Sequence, residues 1–199
     1  LTSALALSAI ALWIPDSAYP AKRIHVAEYL LLAFVVRYAL SFHLQGRTLL
    51  LCSALFTALL GIHDELLQGL HPARTYGLRD ILVNMLSGAA GSLLGHSFGF
   101  ASKNGGAATR RLNGLHPHGA PLLVWLVLSV GAFAIPLSFY KLMFIPLWPA
   151  LPLLCLAVLL SLYTHPRALL LPAFWLIYGA ALTMPLYPLI ANATALDFY

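Results

Sequence analysis

The sequence predicts an all-α, polytopic transmembrane bundle of about seven helices. Hydrophobic residues make up 61% of the 199 residues and charged residues only 9%, whereas a soluble domain is typically about half apolar and a quarter charged. The mean hydropathy is +0.86. Most apolar residues fall in segments close to the length of about 20 residues that a membrane-spanning helix requires. These observations assign the chain to the multi-pass membrane proteins.

Breaks between the apolar segments coincide with proline and glycine, which interrupt helices. The first segment is short and begins without methionine, so we interpret it as the end of a longer helix or as a trimmed signal-anchor. The predicted segments are residues 1–14, 24–43, 48–70, 79–100, 121–139, 142–163 and 168–190.

A polar, basic loop at residues 101–120 divides these segments into two blocks. Residues 1–100 form a predicted four-helix unit that holds most of the acidic residues. Residues 121–199 form a predicted three-helix block that is rich in proline and aromatic residues. Proline in a spanning helix frees a backbone carbonyl, so we expect kinked helices in this second block.

The net charge of +5 does not indicate a nucleic-acid partner. The eleven Lys and Arg residues are scattered over short loops, without the basic stripe that phosphate-backbone binding needs. The densest cluster lies in the loop at 101–120, and the positive-inside rule therefore places that loop in the cytoplasm. Cys52 and Cys155 lie in separate apolar runs and form no disulfide or metal-ligand pattern.

A set of ionisable residues lies in or beside the apolar segments and includes four of the six acidic residues. A carboxylate in hydrocarbon costs on the order of several kcal/mol, so such groups normally face a protein interior or a wet cavity and have partners. The second and fourth predicted helices begin near these residues and the third ends there, which places the set toward one face of the membrane. The candidate pocket residues are His25, Glu28, Tyr29, His63, Asp64, Glu65, Gln68, Arg74, Asp80 and Asn84.

Spacing within this set predicts shared helix faces. Residues three or four apart lie on the same side of a helix, as do His25 with Glu28, Asp64 with Gln68, and Asp80 with Asn84. The small-residue run at 87–92 permits close helix approach, so we expect the fourth helix to be central. We expect Asp80 to pair with Arg74 or Arg79, and Arg37, deep in the second helix, to snorkel toward the opposite interface.

These stretches resemble the motifs of VanZ-like membrane proteins. The elements are His25-Val-Ala-Glu28-Tyr29, then Asp64-Glu65-Leu-Leu-Gln68 with Arg74, then Asp80-Ile-Leu-Val-Asn84 followed by Gly88. They occur in the order and spacing of that family and cover about residues 1–100. The resemblance implies a bacterial cell-envelope protein, multi-pass in the cytoplasmic (inner) membrane. It also implies a link to antibiotic resistance, because the family is named for a protein associated with low-level teicoplanin resistance.

The working hypothesis for function is the handling of an envelope amphiphile, with a lipid-linked intermediate or a glycopeptide as ligand and membrane lipids as surroundings. One alternative is an accessory subunit of a larger membrane protein complex, docked through residues 121–199. Another is a metal-assisted intramembrane hydrolase or transferase, because His and carboxylate side chains can hold a divalent metal. The sequence contains no HExxH or GxSxG motif. A purely architectural polar network also remains open, and the sequence predicts no particular cofactor.

Overall fold

A computed structural model describes residues 1–15, 20–42, 44–69, 77–101 and 120–138, together with the single residues 179 and 193. All regular secondary structure within these ranges is helical, which agrees with the predicted all-α class. The elements are α1 (Thr2–Trp13), a 3-10 turn (Pro20–Arg23), α2 (Ile24–Ser41), α3 (Gly46–Gly69), α4 (Leu78–Ser97) and α5 (Ala120–Ser138).

The predicted helices in the first part of the chain are confirmed in position. Each boundary predicted for the segments from 1–14 to 121–139 lies within three residues of the observed one. The predicted segments at 142–163 and 168–190 lie outside the described residues, apart from residue 179, and so does the loop between residues 102 and 119. The predicted division of the chain at this loop therefore stays a prediction.

Two of the described helices are long and apolar enough to cross a membrane. They are Ile24–Ser41 and the stretch Gly46–Glu65 of α3. At roughly 1.5 Å per residue, the 24 residues of α3 extend over about 36 Å, more than the hydrocarbon core of about 30 Å. The stretches Thr2–Trp13 and Leu122–Gly131 are shorter apolar helices, and the prediction of about seven spans goes beyond this finding.

The chain forms two compact units. The first comprises Leu1–Ile62 and Gly77–Val130, and the second includes the last turns of α3 from His63 and the end of α5 from Gly131. Most of the described helices therefore belong to the first unit.

Helices α2 and α4 of the first unit run parallel to each other. A Cβ atom added at Gly91 would lie 2.5 Å from the carbonyl oxygen of Leu30, and one added at Gly95 would lie 2.8 Å from Cδ of Arg37. Residue numbers thus increase together along the two helices. The backbones approach this closely because glycine has no side chain to hold them apart.

Helix α3 runs antiparallel to α4. A Cβ atom added at Gly61 would lie 2.8 Å from Cβ of Asn84, whereas one added at Gly88 would lie 2.7 Å from Cγ2 of Thr57. The numbers on α3 decrease as those on α4 increase, so the start of α4 is level with the later turns of α3. The predicted central position of α4 agrees with its contacts to both α2 and α3.

Helix α1 packs against α4 near the start of α2. Ala11 is buried together with Val26 and Val83, and Ile14 and Leu86 pack against this cluster. The end of α1 is therefore level with the first turns of α2 and α4.

The end of α4 is a Schellman motif. Gly99, at φ +64°, donates its N–H to the carbonyl of His96 at 3.2 Å, and Phe100 donates to the carbonyl of Gly95 at 2.8 Å. Glycine is favoured at the left-handed position of this motif because it has no Cβ. The motif turns the chain back over the last turn of α4 and fixes the position of the Phe100 carbonyl.

The outward face of α2 is apolar. Its exposed stripe consists of Leu31, Val35, Tyr38 and Phe42, each more than half exposed and separated by three or four residues. In contrast, several polar side chains of the described residues are fully buried, among them Thr48, Ser53, Thr57, Asn84, Ser87 and Ser92. The interior thus contains polar side chains beside its apolar core, while the outward face of α2 is apolar.

Candidate functional site

The start of α4 is joined to the start of α2 by an ion pair. Nζ of Lys22, in the 3-10 turn, donates a hydrogen bond to Oδ2 of Asp80 at 2.5 Å. The Asp80 side chain is 8% exposed and that of Lys22 is 37% exposed. The expected partners of Asp80 were Arg79, which is exposed, and Arg74, which lies outside the described residues. The cation that the structure places on Asp80 is Lys22.

A helix N-terminus also lies beside the Asp80 carboxylate. Asp80 lies in the first turn of α4, whose N-cap residue is Gly77. The N-terminal end of a helix carries partial positive charge from its unpaired N–H groups. A Cβ atom added at Gly77 would lie 3.3 Å from Oδ2 of Asp80, so the carboxylate lies back over the helix start. Asp80 is therefore held by both a helix end and a cation.

His25 and Glu28 form the second contact of the site, one turn into α2. Nδ1 of His25 lies 3.1 Å from Oε2 of Glu28, but the two groups are not aligned for a hydrogen bond. The Glu28 side chain is 55% exposed, whereas that of His25 is 17% exposed. The predicted shared face of these two residues is confirmed, and Glu28 is the more accessible of the two described acids in the first unit.

Helices α2, α3 and α4 meet at Tyr29, Gly61 and Asn84. A Cβ atom added at Gly61 would lie 3.2 Å from Cε1 of Tyr29 and 2.8 Å from Cβ of Asn84. Asn84 is completely buried, and its Nδ2 donates a long hydrogen bond of 3.4 Å to the carbonyl of Gly61. Its Oδ1 atom is buried, and no described residue donates a hydrogen bond to it. Buried acceptors are normally satisfied, so Oδ1 is a candidate contact for a bound group that donates a hydrogen bond.

The carboxylates at the end of α3 belong to the second unit. Nε2 of Gln68 donates a hydrogen bond to Oδ2 of Asp64 at 2.9 Å, which confirms their predicted shared face. Glu65 is 1% exposed, whereas His63 and Asp64 are partly buried. Two adjacent carboxylates on this helix thus differ strongly in their access to solvent.

The described residues do not form a metal centre. No group of three or more His, Cys, Asp or Glu side chains within the described ranges is placed to hold a metal ion. His25 and Glu28 make one pair, and Asp80 is paired with Lys22. The metal-assisted reaction considered from the sequence therefore gains no support from this part of the chain.

Sequence reasoning missed two members of this site, Lys22 and Gly61. Lys22 lies two residues before the first residue of α2, and Asp80 is the third residue of α4. Because α2 and α4 are both expected to enter the membrane from the same face, the closeness of the two residues to these helix starts could have suggested the pair. Gly61 gave no comparable signal, since its role depends on how closely three helices approach.

Arg37 lies near the end of α4 that is opposite to Asp80. It is 1% exposed, and its Nε donates a hydrogen bond to the carbonyl of Phe100 at 2.9 Å. The direction agrees with the prediction that Arg37 extends toward the opposite interface, whereas snorkelling to a membrane interface stays a prediction. A backbone carbonyl at a helix end carries partial negative charge, which favours this contact, and Gly95 leaves room for the side chain.

In chemical terms, the first unit presents a graded polar surface. Glu28 and Lys22 are accessible, Asp80 is nearly covered, and Asn84 is fully covered one helical turn deeper. This arrangement offers carboxylate and amide acceptors and one ammonium donor. It suits the binding of a polar head group that carries hydroxyl or amine donors.

Comparisons with known proteins identified no relative of this chain. A scan against protein-family models matched none, and searches of curated proteins and of solved structures found no match. The resemblance to VanZ-like proteins therefore depends on the motifs themselves.

Proposed function

We propose that this chain is a multi-pass protein of the VanZ-like kind, located in a bacterial cytoplasmic membrane. In this proposal it binds the polar head of an envelope amphiphile, either a lipid-linked intermediate or a lipoglycopeptide such as teicoplanin. The site comprises Lys22, Asp80 and Asn84 in the first unit, with Glu28 at its accessible edge.

The observation that carries the proposal is the graded polar surface where three helices meet. Tyr29, Gly61 and Asn84 bring α2, α3 and α4 together, and the Lys22–Asp80 pair lies at about the same end of the unit. Placing a polar cluster of this kind within apolar helices costs free energy, so such clusters usually mark functional sites. The unpaired Oδ1 of Asn84 supplies an acceptor for a hydroxyl or amine of the ligand.

The membrane setting is supported by the outward apolar stripe of α2. An exposed apolar surface of this extent on a helix favours contact with lipid over contact with water. Two described helices are long and apolar enough to span. The further spans expected from the sequence, at residues 1–14, 79–100, 121–139, 142–163 and 168–190, belong to this proposal.

Direct binding to the full chain in mild detergent tests this proposal. Native mass spectrometry would measure the retention of teicoplanin and, in a separate series, of a polyprenyl diphosphate-linked sugar. We expect one of these probes to bind the wild-type chain, and Asp80→Asn and Asn84→Ala to weaken its binding by about tenfold, the effect of losing one charge-assisted hydrogen bond of roughly 1.4 kcal/mol.

Arg79→Gln is the matched control, because Arg79 is an exposed neighbour of Asp80. It should leave the binding of either probe unchanged. The proposal fails if neither probe binds the wild-type chain, or if Asp80→Asn and Asn84→Ala retain the probe as well as Arg79→Gln does. A stoichiometric protein partner retained in the same spectra would favour the accessory-subunit alternative.

A further inference from the structure

Basic side chains gather around the C-terminal end of α4, at the opposite end of the first unit from Asp80. They are Arg37 on α2, Arg47 at the start of α3, and His96 in the last turn of α4. The two described carboxylates of the first unit, Asp80 and Glu28, pair with Lys22 and His25 instead. We call this basic group the Arg37 patch.

Arg37 is the buried member of the patch. Its Nε donates a hydrogen bond to the Phe100 carbonyl at 2.9 Å, but its Nη1 is buried and has no hydrogen-bond partner among the described residues. A guanidinium has five N–H donors, and a buried donor left unpaired costs free energy. The carbonyl ends of α4 offset only part of one positive charge. The positive charge of Arg37 is thus only partly offset, and at least one of its N–H groups is available to a bound acceptor.

The other two members are exposed and lie at the same end of the first unit. Arg37 packs beside Gly95, the neighbour of His96, Arg47 lies at the start of α3, and the positive charges of both arginines act on the imidazole of His96. Arg47 and His96 are exposed, while Arg37 is covered. The patch therefore has a buried anchor and an accessible rim.

We propose that the Arg37 patch binds a phosphate group. Guanidinium groups recognise phosphate through paired, charge-assisted hydrogen bonds. The patch lies where α2 and α4 end and α3 begins, which is the level of lipid head groups if α2 spans the membrane. Basic pockets between helices at this level bind anionic lipid head groups. The source of the phosphate is either such a lipid or a free anion, and this site is separate from the one proposed around Asp80.

Binding of defined probes to the purified full chain in dodecyl maltoside tests the inference. The probes are dioleoyl phosphatidylglycerol, dioleoylglycerol with the same acyl chains but no phosphate, and inorganic phosphate. We expect phosphatidylglycerol to bind and dioleoylglycerol not to bind. Arg47→Gln should weaken phosphatidylglycerol binding by about fivefold, the effect of one arginine near an anionic lipid.

Two further variants sharpen the test. Arg37→Lys keeps the charge but removes the planar pair of donors, so it should also weaken binding. Arg79→Gln removes an exposed arginine at the other end of α4 and should have no effect. Because Arg47 is exposed, its substitution reports on binding even if the buried Arg37→Lys variant folds poorly.

The outcomes separate the two sources of phosphate. Binding of phosphatidylglycerol without binding of inorganic phosphate assigns the patch to lipid. Binding of inorganic phosphate that Arg47→Gln weakens assigns it to a free anion. The inference is overturned if dioleoylglycerol binds as tightly as phosphatidylglycerol, if neither phosphate probe binds, or if Arg47→Gln behaves like Arg79→Gln.

Discussion

Lys22 and Asp80 form an ion pair between residues 58 positions apart in the sequence, with Nζ and Oδ2 separated by 2.5 Å. The pair joins the turn before α2 to the first turn of α4. Because α2 and α4 are parallel, this contact fixes which ends of the two helices are level. It also orders the carboxylate that we place in the proposed binding site.

Breaking this pair should destabilise the first unit moderately. We expect Asp80→Asn to lower the free energy of unfolding by about 1–2 kcal/mol, since a hydrogen bond to a charged group is lost. The effect stays moderate because Lys22 is 37% exposed and can be hydrated after its partner is removed. Denaturant unfolding in mixed micelles, followed by helical circular dichroism, measures this change.

A double-mutant cycle isolates the pair itself. Lys22→Gln and Asp80→Asn should show a coupling energy of about 0.5–1 kcal/mol. The matched cycle with Arg79→Gln in place of Lys22→Gln should show coupling close to zero. Equal coupling in the two cycles would show that Asp80 interacts with the surrounding positive charge and not specifically with Lys22.

Local sequence patterns predicted much of the fold in the first hundred residues. Apolar segments bounded by proline and glycine located α1 to α4, because length and hydropathy are properties of single segments. The same reasoning predicted that Glu28 and Asp80 lie toward the same face of the membrane. Pairing within a helix, as between Asp64 and Gln68, also followed from spacing alone.

Contacts between helices could not be predicted in the same way. The partner of Asp80 depends on how α2 and α4 are aligned. If α2 were shifted by one turn along α4, a different side chain would lie beside Asp80. The hydrogen bond from Arg37 to the Phe100 carbonyl depends on the Schellman motif at Gly99, which directs that carbonyl toward Arg37. Neither contact produces a periodic pattern in the sequence from which it could be predicted.

Gly91 should be intolerant of any side chain. A Cβ there would lie 2.5 Å from the carbonyl oxygen of Leu30 and 2.8 Å from Cβ of Ala33, so α2 and α4 would have to separate. We expect Gly91→Ala to lower the free energy of unfolding by about 1–3 kcal/mol, the usual cost of overpacking. Unfolding in mixed micelles is again the measurement.

Gly131→Ala is the control for this prediction. Gly131 lies inside α5, and no atom of the described residues lies within 4 Å of a Cβ added there. Alanine is a better helix former than glycine by about 1 kcal/mol, so this variant should be neutral or more stable. A neutral Gly91→Ala variant would contradict the close approach of α2 and α4.

The contact between α3 and α4 should be open to rescue by a second substitution. A Cβ added at Gly88 would lie 2.7 Å from Cγ2 of Thr57. Gly88→Ala should therefore destabilise the unit by about 1–3 kcal/mol. Thr57→Ser removes Cγ2 while keeping the hydroxyl that donates to the carbonyl of Ser53.

We expect the double variant to recover part of the lost stability. The recovery should be incomplete, since Cβ of Thr57 would itself lie 3.0 Å from the added atom. Thermal unfolding of the two single variants and the double variant in detergent measures this. Additive losses in the double variant would show that the Gly88 side of α4 does not face Thr57.

The turn after α4 should respond in opposite directions at two neighbouring positions. Gly99 has φ +64° and Ala101 has φ +57°, and the left-handed region disfavours residues with a Cβ by roughly 1–2 kcal/mol. Gly99→Ala should therefore lower stability by about 1 kcal/mol, and Ala101→Gly should raise it by up to about 1 kcal/mol. Since no atom of the described residues lies within 4 Å of a Cβ added at Gly99, steric contact with this part of the chain does not contribute.

Unfolding in mixed micelles compares these two variants. Gly99→Asn provides a further check, because asparagine tolerates the left-handed region better than alanine, and its loss should be smaller than that of Gly99→Ala. The turn geometry would be refuted if both Gly99→Ala and Ala101→Gly changed stability in the same direction.

If α2 spans the membrane, its two ends should be accessible from opposite sides. Arg23 precedes α2, and Arg47 follows it at the start of α3; both are exposed. The 18 residues of α2 extend over about 27 Å at roughly 1.5 Å per residue, close to the hydrocarbon thickness of about 30 Å. Single cysteines at these positions, in a chain with Cys52 and Cys155 replaced by alanine, report the side of each end.

We expect a membrane-impermeant maleimide added to intact cells to label Arg23→Cys and not Arg47→Cys. Labelling of Arg47→Cys should require permeabilisation, because the positive-inside rule places that end, with the basic loop, in the cytoplasm. Arg79→Cys should label like Arg23→Cys, since α2 and α4 are parallel and Lys22 pairs with Asp80. Labelling of Arg23→Cys and Arg47→Cys from the same side would mean that α2 does not cross the membrane. Labelling of Arg47→Cys alone in intact cells would still mean that α2 crosses, but in the opposite orientation, with the Asp80 site in the cytoplasm.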